Sequence, residues 1–279
     1  MEALAKLQLF ASDMSLEPAE EMPMTGRAAP GLRHSMAGTL PTAANSPGPC
    51  GHSPAELRRM VDSGEVQGAL DAKKNSLGIY AAAMPGGKRI RLLKTLLTSA
   101  CERNCYYCPF RAGRDYRRAT FRPDEMARTF VELHRGGVAE GLFLSSGIAG
   151  GGVRTQDRLL DTADILRNKL GFRGYVHLKI MPGAERAQLE RAMQLADRVS
   201  INLEAPSAER LSLLAPRKVF FEELLRPLQW AEEIRRTQPS RQGWNGRWPS
   251  TVTQFVVGAV GESDLELLTL TEKLYRQAR

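Results

Sequence analysis

Val199-Ser-Ile-Asn-Leu-Glu204 decides the architecture. Successive residues of an extended chain point to opposite sides. Val199, Ile201 and Leu203 therefore share one face, and Ser200, Asn202 and Glu204 share the other. Tyr175-Val-His-Leu-Lys-Ile180 repeats the division, with Tyr175, His177 and Lys179 opposed to Val176, Leu178 and Ile180. A parallel sheet covered by helices on both faces reads as near-continuous apolar runs. Polar residues along one face of two successive strands imply instead that this face lines a wet or ligand-filled interior. The expectation is an α/β chain folded as a partial or full β/α barrel around a cavity, rather than an open doubly wound sheet.

Outward from these strands the pattern alternates between a period of two and a period of 3.6. Leu92-Leu-Lys-Thr-Leu-Leu-Thr98, Gly141-Leu-Phe-Leu-Ser145 and Thr251 to Val260 read as further strands. Pro123 and two acids open a helix striped by Met126, Phe130 and Leu133, which Gly136-Gly137 ends. Thr155 is the expected cap of the next helix, striped by Leu159, Ala163, Leu166 and Leu170. Helices are also expected from Glu185 to Ala196, briefly from Ser207 to Leu214, and from Phe220 to Arg236 with an interruption at Pro227. Ser263-Asp-Leu-Glu266 is a capping-box start for a last helix reaching about Gln277. Strands separated by helices in this order imply a parallel sheet with right-handed crossovers.

Ahead of the barrel, residues 1 to 16 suit a short amphipathic helix with Leu4, Leu7 and Phe10 at helical spacing. From Ser15 to Pro54 the composition turns to Pro, Gly, Ala, Ser and Met, which buries too little to offset its ordering entropy. A helix from Pro54 to Leu70 and a strand over Asn75 to Tyr80 follow. The division expected is thus a low-complexity, largely flexible extension over 1–54 and a barrel over 55–279 that lacks its last strand and leaves a bare sheet edge at Thr251 to Val260. Four cysteines in 279 residues do not make a disulfide framework, which suits a reducing, cytoplasmic setting. Met1 to Phe10 lacks the pattern of a signal peptide, and no run approaches the ~20 apolar residues that span a bilayer. The net charge of +8 allows an anionic partner such as nucleic acid without requiring one.

Cys101-Glu-Arg-Asn-Cys105-Tyr-Tyr-Cys108 gathers three of the four cysteines into a CxxxCxxC loop. Thiolates so close in sequence can converge on one metal centre, and three ligands are one fewer than a fully protein-ligated cluster or a closed structural zinc site uses. A cubane held this way keeps one iron open. The other readings are a zinc knuckle completed by a distant His or by Cys50, and three ordinary thiols; Cys50 and His52 would be the fourth ligand pair on paper. The candidate residues fall at one end of the strands: the cysteine loop, Ser145-Ser146-Gly147, Lys179, Asn202 with Glu204, and Gly258 to Glu262. In β/α barrels the chemistry sits at that end. Arg111, Arg114, Arg117, Arg118 and Arg122 form either a phosphate-binding patch beside it or a solvated face. His177 reads as a hydrogen-bonded interior residue, and Lys179 as a site contact or an ion-pair partner of Glu204.

The cysteine spacing, with Tyr107 before the last Cys, resembles the signature of the radical S-adenosylmethionine (radical SAM) superfamily. The resemblance covers residues 75 to 279. It implies a [4Fe–4S] cluster on Cys101, Cys105 and Cys108, whose open iron takes the amino and carboxylate groups of SAM. It implies that one electron, from a donor such as flavodoxin or ferredoxin, leads to cleavage of SAM to methionine and a 5′-deoxyadenosyl radical, which abstracts hydrogen from a substrate. By the same resemblance Ser145, Ser146 and Gly147 replace a Gly-Gly-Glu-like motif for the SAM amino group, though the acidic residue is missing. Lys179, Asn202 and Glu204 match SAM-contacting positions, Tyr107 borders the adenine, and Gly258 and Val260 lie in a backbone stretch that approaches it. Leu92 to Arg111 and Ser200-Ile-Asn-Leu-Glu-Ala-Pro206 most resemble the radical SAM proteins assigned to DNA modification or repair, which carry a helix-hairpin-helix segment not found in this chain. The expected activity is therefore radical SAM modification or repair of nucleic acid; the alternative is a non-catalytic nucleic-acid-binding protein with a structural zinc or iron–sulfur site.

Overall fold

The computed structural model describes residues 1–14, 77–84 and 87–277. Cys50, His52, the low-complexity stretch and the Pro54 to Leu70 helix lie outside the described residues. The chain starts with α1 (Ala3–Met14), then β1 (Ile79–Ala83) and β2 (Arg89–Leu96). It continues through α2 (Pro123–Arg135), β3 (Gly141–Ser145), α3 (Gly152–Asp164), β4 (Tyr175–Lys179), α4 (Arg186–Leu195) and β5 (Arg198–Ser200). It ends with α5 (Ala208–Leu214), α6 (Arg226–Thr237), β6 (Ser250–Val252) and α7 (Asp264–Gln277). The six strands form one sheet in sequence order, with β1 antiparallel to β2 and every later pair parallel. The result is a partial β/α barrel in which, among the described residues, β1 and β6 are the edge strands.

The register sorts the side chains as the alternation implies. Leu142, Val176 and Val199 lie on the helix-facing side with Met126, Phe130, Leu159 and Leu166, all buried. On the concave side Lys94, Phe143, His177 and Arg198 form one row, and Leu96 with Ser145 and Lys179 with Ser200 the next. The polar members Lys94, His177, Ser145, Ser200 and Asn202 are nevertheless buried. They are buried in the barrel, not in a packed apolar layer.

The strand expected from Thr251 to Val260 is only three residues long. Thr253 ends it, because its Oγ1 accepts from the Leu203 N–H at 3.1 Å and takes the place of a ladder carbonyl. An isolated bridge, Glu204 with Phe255, resumes the pairing. The chain then turns at Gly258 (φ 80°), where the Glu262 carboxylate accepts from the N–H groups of Gly258 and Val260. Thr155 is likewise not the cap of α3. That helix starts at Gly152, which lies so close to Pro182 that a Cβ would stand 2.1 Å from its carbonyl oxygen. Thr155 sits inside the first turn, donating to the Gly151 carbonyl at 2.8 Å and accepting from the Ala149 N–H at 3.1 Å.

Two features close the barrel from outside. Helix α1 buries Leu7, Phe10 and Met14 and leaves Leu4 exposed. Phe10 meets Phe110 and Phe121 edge-on, Lys6 pairs with Glu125 at 2.6 Å, and the Leu9 carbonyl accepts from Tyr116. At the opposite end Arg167, in a wide helical turn that follows α3 (Ile165–Lys169), is fully buried. It donates to the carbonyls of Leu195, Phe172 and Gly174, pairs with Asp197 at 2.8 Å and lies 3.8 Å from the Trp244 ring centroid. Burial pushes its pKa down to about 10 against the pull of Asp197. No described helix is long and apolar enough to cross a membrane.

Candidate functional site

From β2 the chain passes through Cys101 to Phe110 without regular structure and is fixed from three sides. The N–H of Glu102 donates to Ile148 at 2.8 Å, that of Tyr106 to Leu214 at 2.9 Å, and that of Ala112 to Arg103 at 2.6 Å. Arg118 is turned inward and donates to the carbonyls of Ser99, Phe110 and Arg111. Arg118 therefore leaves the proposed basic patch to hold the loop, and Arg122 pairs with Asp124 at 3.3 Å. Gly147 is needed here: its N–H donates to Thr98, and a Cβ would stand 2.3 Å from the Ala100 carbonyl oxygen. The glycine-bearing turn after β3 can thus lie directly against the cysteine loop.

Cys101, Cys105 and Cys108 line one cavity together with Tyr107, Ser145, Ser146, Gly147, Lys179, Asn202 and Glu204. Ten of the twelve residues expected at the site from sequence thus share a wall. Gly258 and Val260 are not among its lining residues; Gln254, Phe255 and Val256 take that side. None of the three thiols is in a disulfide. The N–H groups of Arg103 and Ile148 point at Cys101 Sγ, at 3.4 and 3.5 Å. Among the described residues no group of three or more His, Cys, Asp and Glu side chains is gathered closely enough to hold a metal ion.

The site's charge centre was not foreseen. Lys218, between α5 and α6, donates to Glu204 Oε1 at 2.9 Å and to the Tyr107 hydroxyl at 2.9 Å, with both members of the ion pair buried. It fills the role of ion-pair partner of Glu204 that sequence offered to Lys179. Burial alone would raise the Glu204 pKa, but the charges of Lys218 and Lys179 and bonds from Lys218 and Tyr107 bring it below the usual range. Burial would lower Lys218, and the Glu204 charge, then that of Cys105, more than reverses this. Burial and then the Glu204 charge push the Tyr107 hydroxyl well up, so it stays a donor or acceptor and not a phenolate. Glu204 is one of two non-glycine residues with positive φ among the described residues, at 66°. Such a backbone costs on the order of 1–3 kcal/mol, and here it aims the carboxylate at Lys218.

Deeper in the barrel the polar atoms outnumber their partners. Asn202 donates to Gln254 at 2.7 Å, yet its Oδ1 is buried with no protein partner among the described residues. Ser200 Oγ and His177 Nε2 are in the same state. His177 is thus not fully hydrogen-bonded as expected; it leans on Phe143, with ring centroids 4.5 Å apart. Burial, then Lys179 and Lys94, drops its pKa to about 3 and keeps it neutral. Unmet buried polar atoms are costly, and an interior of this kind is built to be completed by a polar ligand or water.

A sequence profile described as the Radical SAM superfamily matches residues 95–269. No curated protein matches the sequence. Among solved structures the chain is similar to the FeFe-hydrogenase maturase HydG from Carboxydothermus hydrogenoformans, at 15% identity and a TM-score of 0.44, over 67% of this chain and 51% of that one. It is also similar to methylornithine synthase (PylB), at 13% identity and a TM-score of 0.45, over 81% and 74% of the two chains. The cobalamin-dependent S-adenosylmethionine radical enzyme OxsB matches at 12% identity and a TM-score of 0.43, over 66% of this chain and 26% of that one. The alignment with HydG thus spans about half of that protein's length.

Proposed function

The chain belongs to the radical SAM superfamily, and on that premise we propose that it cleaves S-adenosylmethionine reductively and uses the radical to modify or repair nucleic acid. The superfamily works with a [4Fe–4S] cluster and SAM. The residues present suit both. Three thiols on one loop that line one cavity, with two backbone N–H groups aimed at Cys101 Sγ, suit such a cluster. In this reading Cys101, Cys105 and Cys108 hold the cluster. When bound, it supplies the electron that splits SAM into methionine and a 5′-deoxyadenosyl radical.

The protein's part is to bind and orient. The observation that carries the reading is the common wall: the cysteines share their cavity with Ser145, Ser146, Lys179, Asn202 and Glu204. Ser145, Ser146 and Gly147 would receive the amino acid end of SAM, and Asn202, with an unmet Oδ1, its ribose hydroxyls. Glu204 is kept ionised by Lys218 and available to an ammonium or a hydroxyl. Tyr107 would border the adenine. Gly258 and Val260 would reach SAM only if the turn after β6 shifts toward the cavity.

Support for the nucleic-acid end is the net charge of +8, the exposed Arg114 and Arg117, and the resemblance of the cysteine and β5 segments to DNA modification or repair proteins. The matching setting is cytoplasmic, with flavodoxin or ferredoxin as donor. The test is anaerobic reconstitution, followed by iron and sulfide analysis and electron paramagnetic resonance with and without SAM. About four irons per chain and a spectrum changed by SAM are expected, with 5′-deoxyadenosine released faster when DNA or RNA is added. Zinc in place of iron, or a cluster indifferent to SAM, would refute the enzymatic reading. A SAM-responsive cluster unaffected by nucleic acid would refute only the substrate.

A further inference from the structure

We propose that Lys218 sets the reduction potential of the cluster, its buried ammonium holding that potential up, an inference that rests on the cluster reading above. Lys218 lines the cavity together with Cys101, Cys105 and Cys108. Its side chain is 8% exposed, and that of Glu204, its partner at 2.9 Å, 6%. The same ammonium donates to the hydroxyl of Tyr107, the residue before Cys108, at 2.9 Å. A buried ion pair gains little stability over apolar residues of the same size. In this one Glu204 also carries the cost of a positive φ. Stability is a poor reason for such a pair, and its place beside three thiols supplies a better one.

The chain around Lys218 keeps the ammonium in place. Its own N–H donates to the Ala215 carbonyl at 2.9 Å and closes the turn after α5. The N–H of Val219 donates to the Glu223 carboxylate at 2.8 Å, and Glu223 pairs at 2.6 Å with Arg103, midway between Cys101 and Cys105. On the other flank the Tyr106 N–H donates to the Leu214 carbonyl at 2.9 Å. The lysine is thus tied to the cysteine loop from both sides. Leu214, Ala215 and Phe220, which bracket it in sequence, pack with Cys105 in one apolar cluster. Lysine and thiol share a dry surrounding, where a charge acts more strongly than in water.

The sign follows from charge. Held by three thiolates, the cluster site is anionic, and reduction adds one more negative charge. One electron from the donor enters, the cluster passes from 2+ to 1+, and no bond or proton moves. A nearby cation favours the reduced form and so raises the potential, local charge being one of the levers by which a protein sets it. Glu204 opposes this effect without cancelling it. At Cys105 burial is the largest influence on the thiol, the Lys218 charge comes next, and the Glu204 charge follows with the opposite sign. The pair therefore presents its positive end to the thiols.

The test measures the midpoint potential of the reconstituted cluster, by dithionite titration followed with electron paramagnetic resonance, in the original chain and three variants. Lys218→Met removes the positive charge, and Lys218→Arg keeps it. The double variant Lys218→Met, Glu204→Gln removes both charges and strands neither. Lys218→Met is expected to lower the potential. At a fixed solution potential the ratio of reduced to oxidised cluster should fall about tenfold, which is about 59 mV for one electron. Lys218→Arg should stay near the original, and the double variant should lie between the original and Lys218→Met. An unchanged potential in Lys218→Met overturns the proposal. So does an equal shift in Lys218→Arg, which would make side-chain shape the cause and not charge. If Lys218→Met folds too poorly to load iron, the double variant decides: a potential below the original supports the proposal, and one at or above it overturns it. An original chain that takes up no iron defeats the cluster reading at an earlier step, so the two failures are told apart.

Discussion

The ion pair of Glu204 with Lys218 shows what a single residue can decide. Glu204 stood out in the sequence because it ends a polar face; Lys218 lies in Pro216-Arg-Lys-Val219, a connection with no motif. Only the rule that a buried carboxylate needs a partner hints at it, and that rule cannot say which lysine answers. Breaking one side of a buried pair costs about 3–5 kcal/mol, because the other charge is stranded, whereas removing both charges costs far less. Lys218→Met should therefore lower the stability of the metal-free chain by about that amount in urea unfolding. Adding Glu204→Gln to it should restore most of the loss. The sign with pH follows. Glu204 has a folded pKa below its unfolded one, so its contribution is present above the unfolded value and drains away as pH falls through the folded value. The acid limb of the stability curve should flatten in the double variant. Equal losses in the single and double variants would mean that Lys218 acts through packing alone.

At the scale of the element, legibility followed periodicity. Helix α2, with Pro123 at its start, and α7, with reciprocal Ser263 and Glu266 bonds, form where their local signals stand, because those signals are completed within four residues. β6 stops early and α3 starts at Gly152 rather than at Thr155, because in each place a contact from a distant segment outweighs the local preference. Arg167 was invisible for the same reason, since its partners are carbonyls spread from Phe172 to Leu195. Helix α1 lies between these cases. Its stripe was readable, but not that Phe10 would sit on Phe110, two residues beyond Cys108. This makes α1 a brace for the cysteine loop. Phe10→Ala should cost about 3–5 kcal/mol of stability. If the brace matters locally, amide hydrogen exchange in residues 101–112 should also quicken more than exchange in β4. A uniform rise across the barrel would show that Phe10 supports the core without singling out the loop.

For the molecule as a whole, the alternation of Ser200, Asn202 and Glu204 was enough to infer a cavity, since a parallel sheet packed under helices on both faces reads as near-continuous apolar runs instead. The edge positions of β1 and β6 among the described residues and the net charge belong to this scale too. Charge in a sequence says nothing of which arginines are already engaged, and the structure removes one from the surface set: Arg118 donates to the carbonyls of Ser99, Phe110, Arg111 and Arg114, while Arg122 stays exposed beside Asp124. Arg114 and Arg117 stay exposed. If nucleic acid is the substrate, these two are the phosphate contacts to test. Each phosphate contact contributes about 0.7–0.9 to the slope of log affinity against log salt. Arg114→Ala and Arg117→Ala should each reduce the slope by about that much and weaken DNA and RNA of any sequence alike. Arg122→Ala, exposed but paired, should change the slope less. Arg118→Ala should act differently, because its loss frees the carbonyls that fix the cysteine loop. It should impair iron uptake before it alters salt dependence. Four variants with one common slope would mean that the positive charge serves solubility, and the search for a substrate would turn from nucleic acid to small molecules that fit inside the barrel.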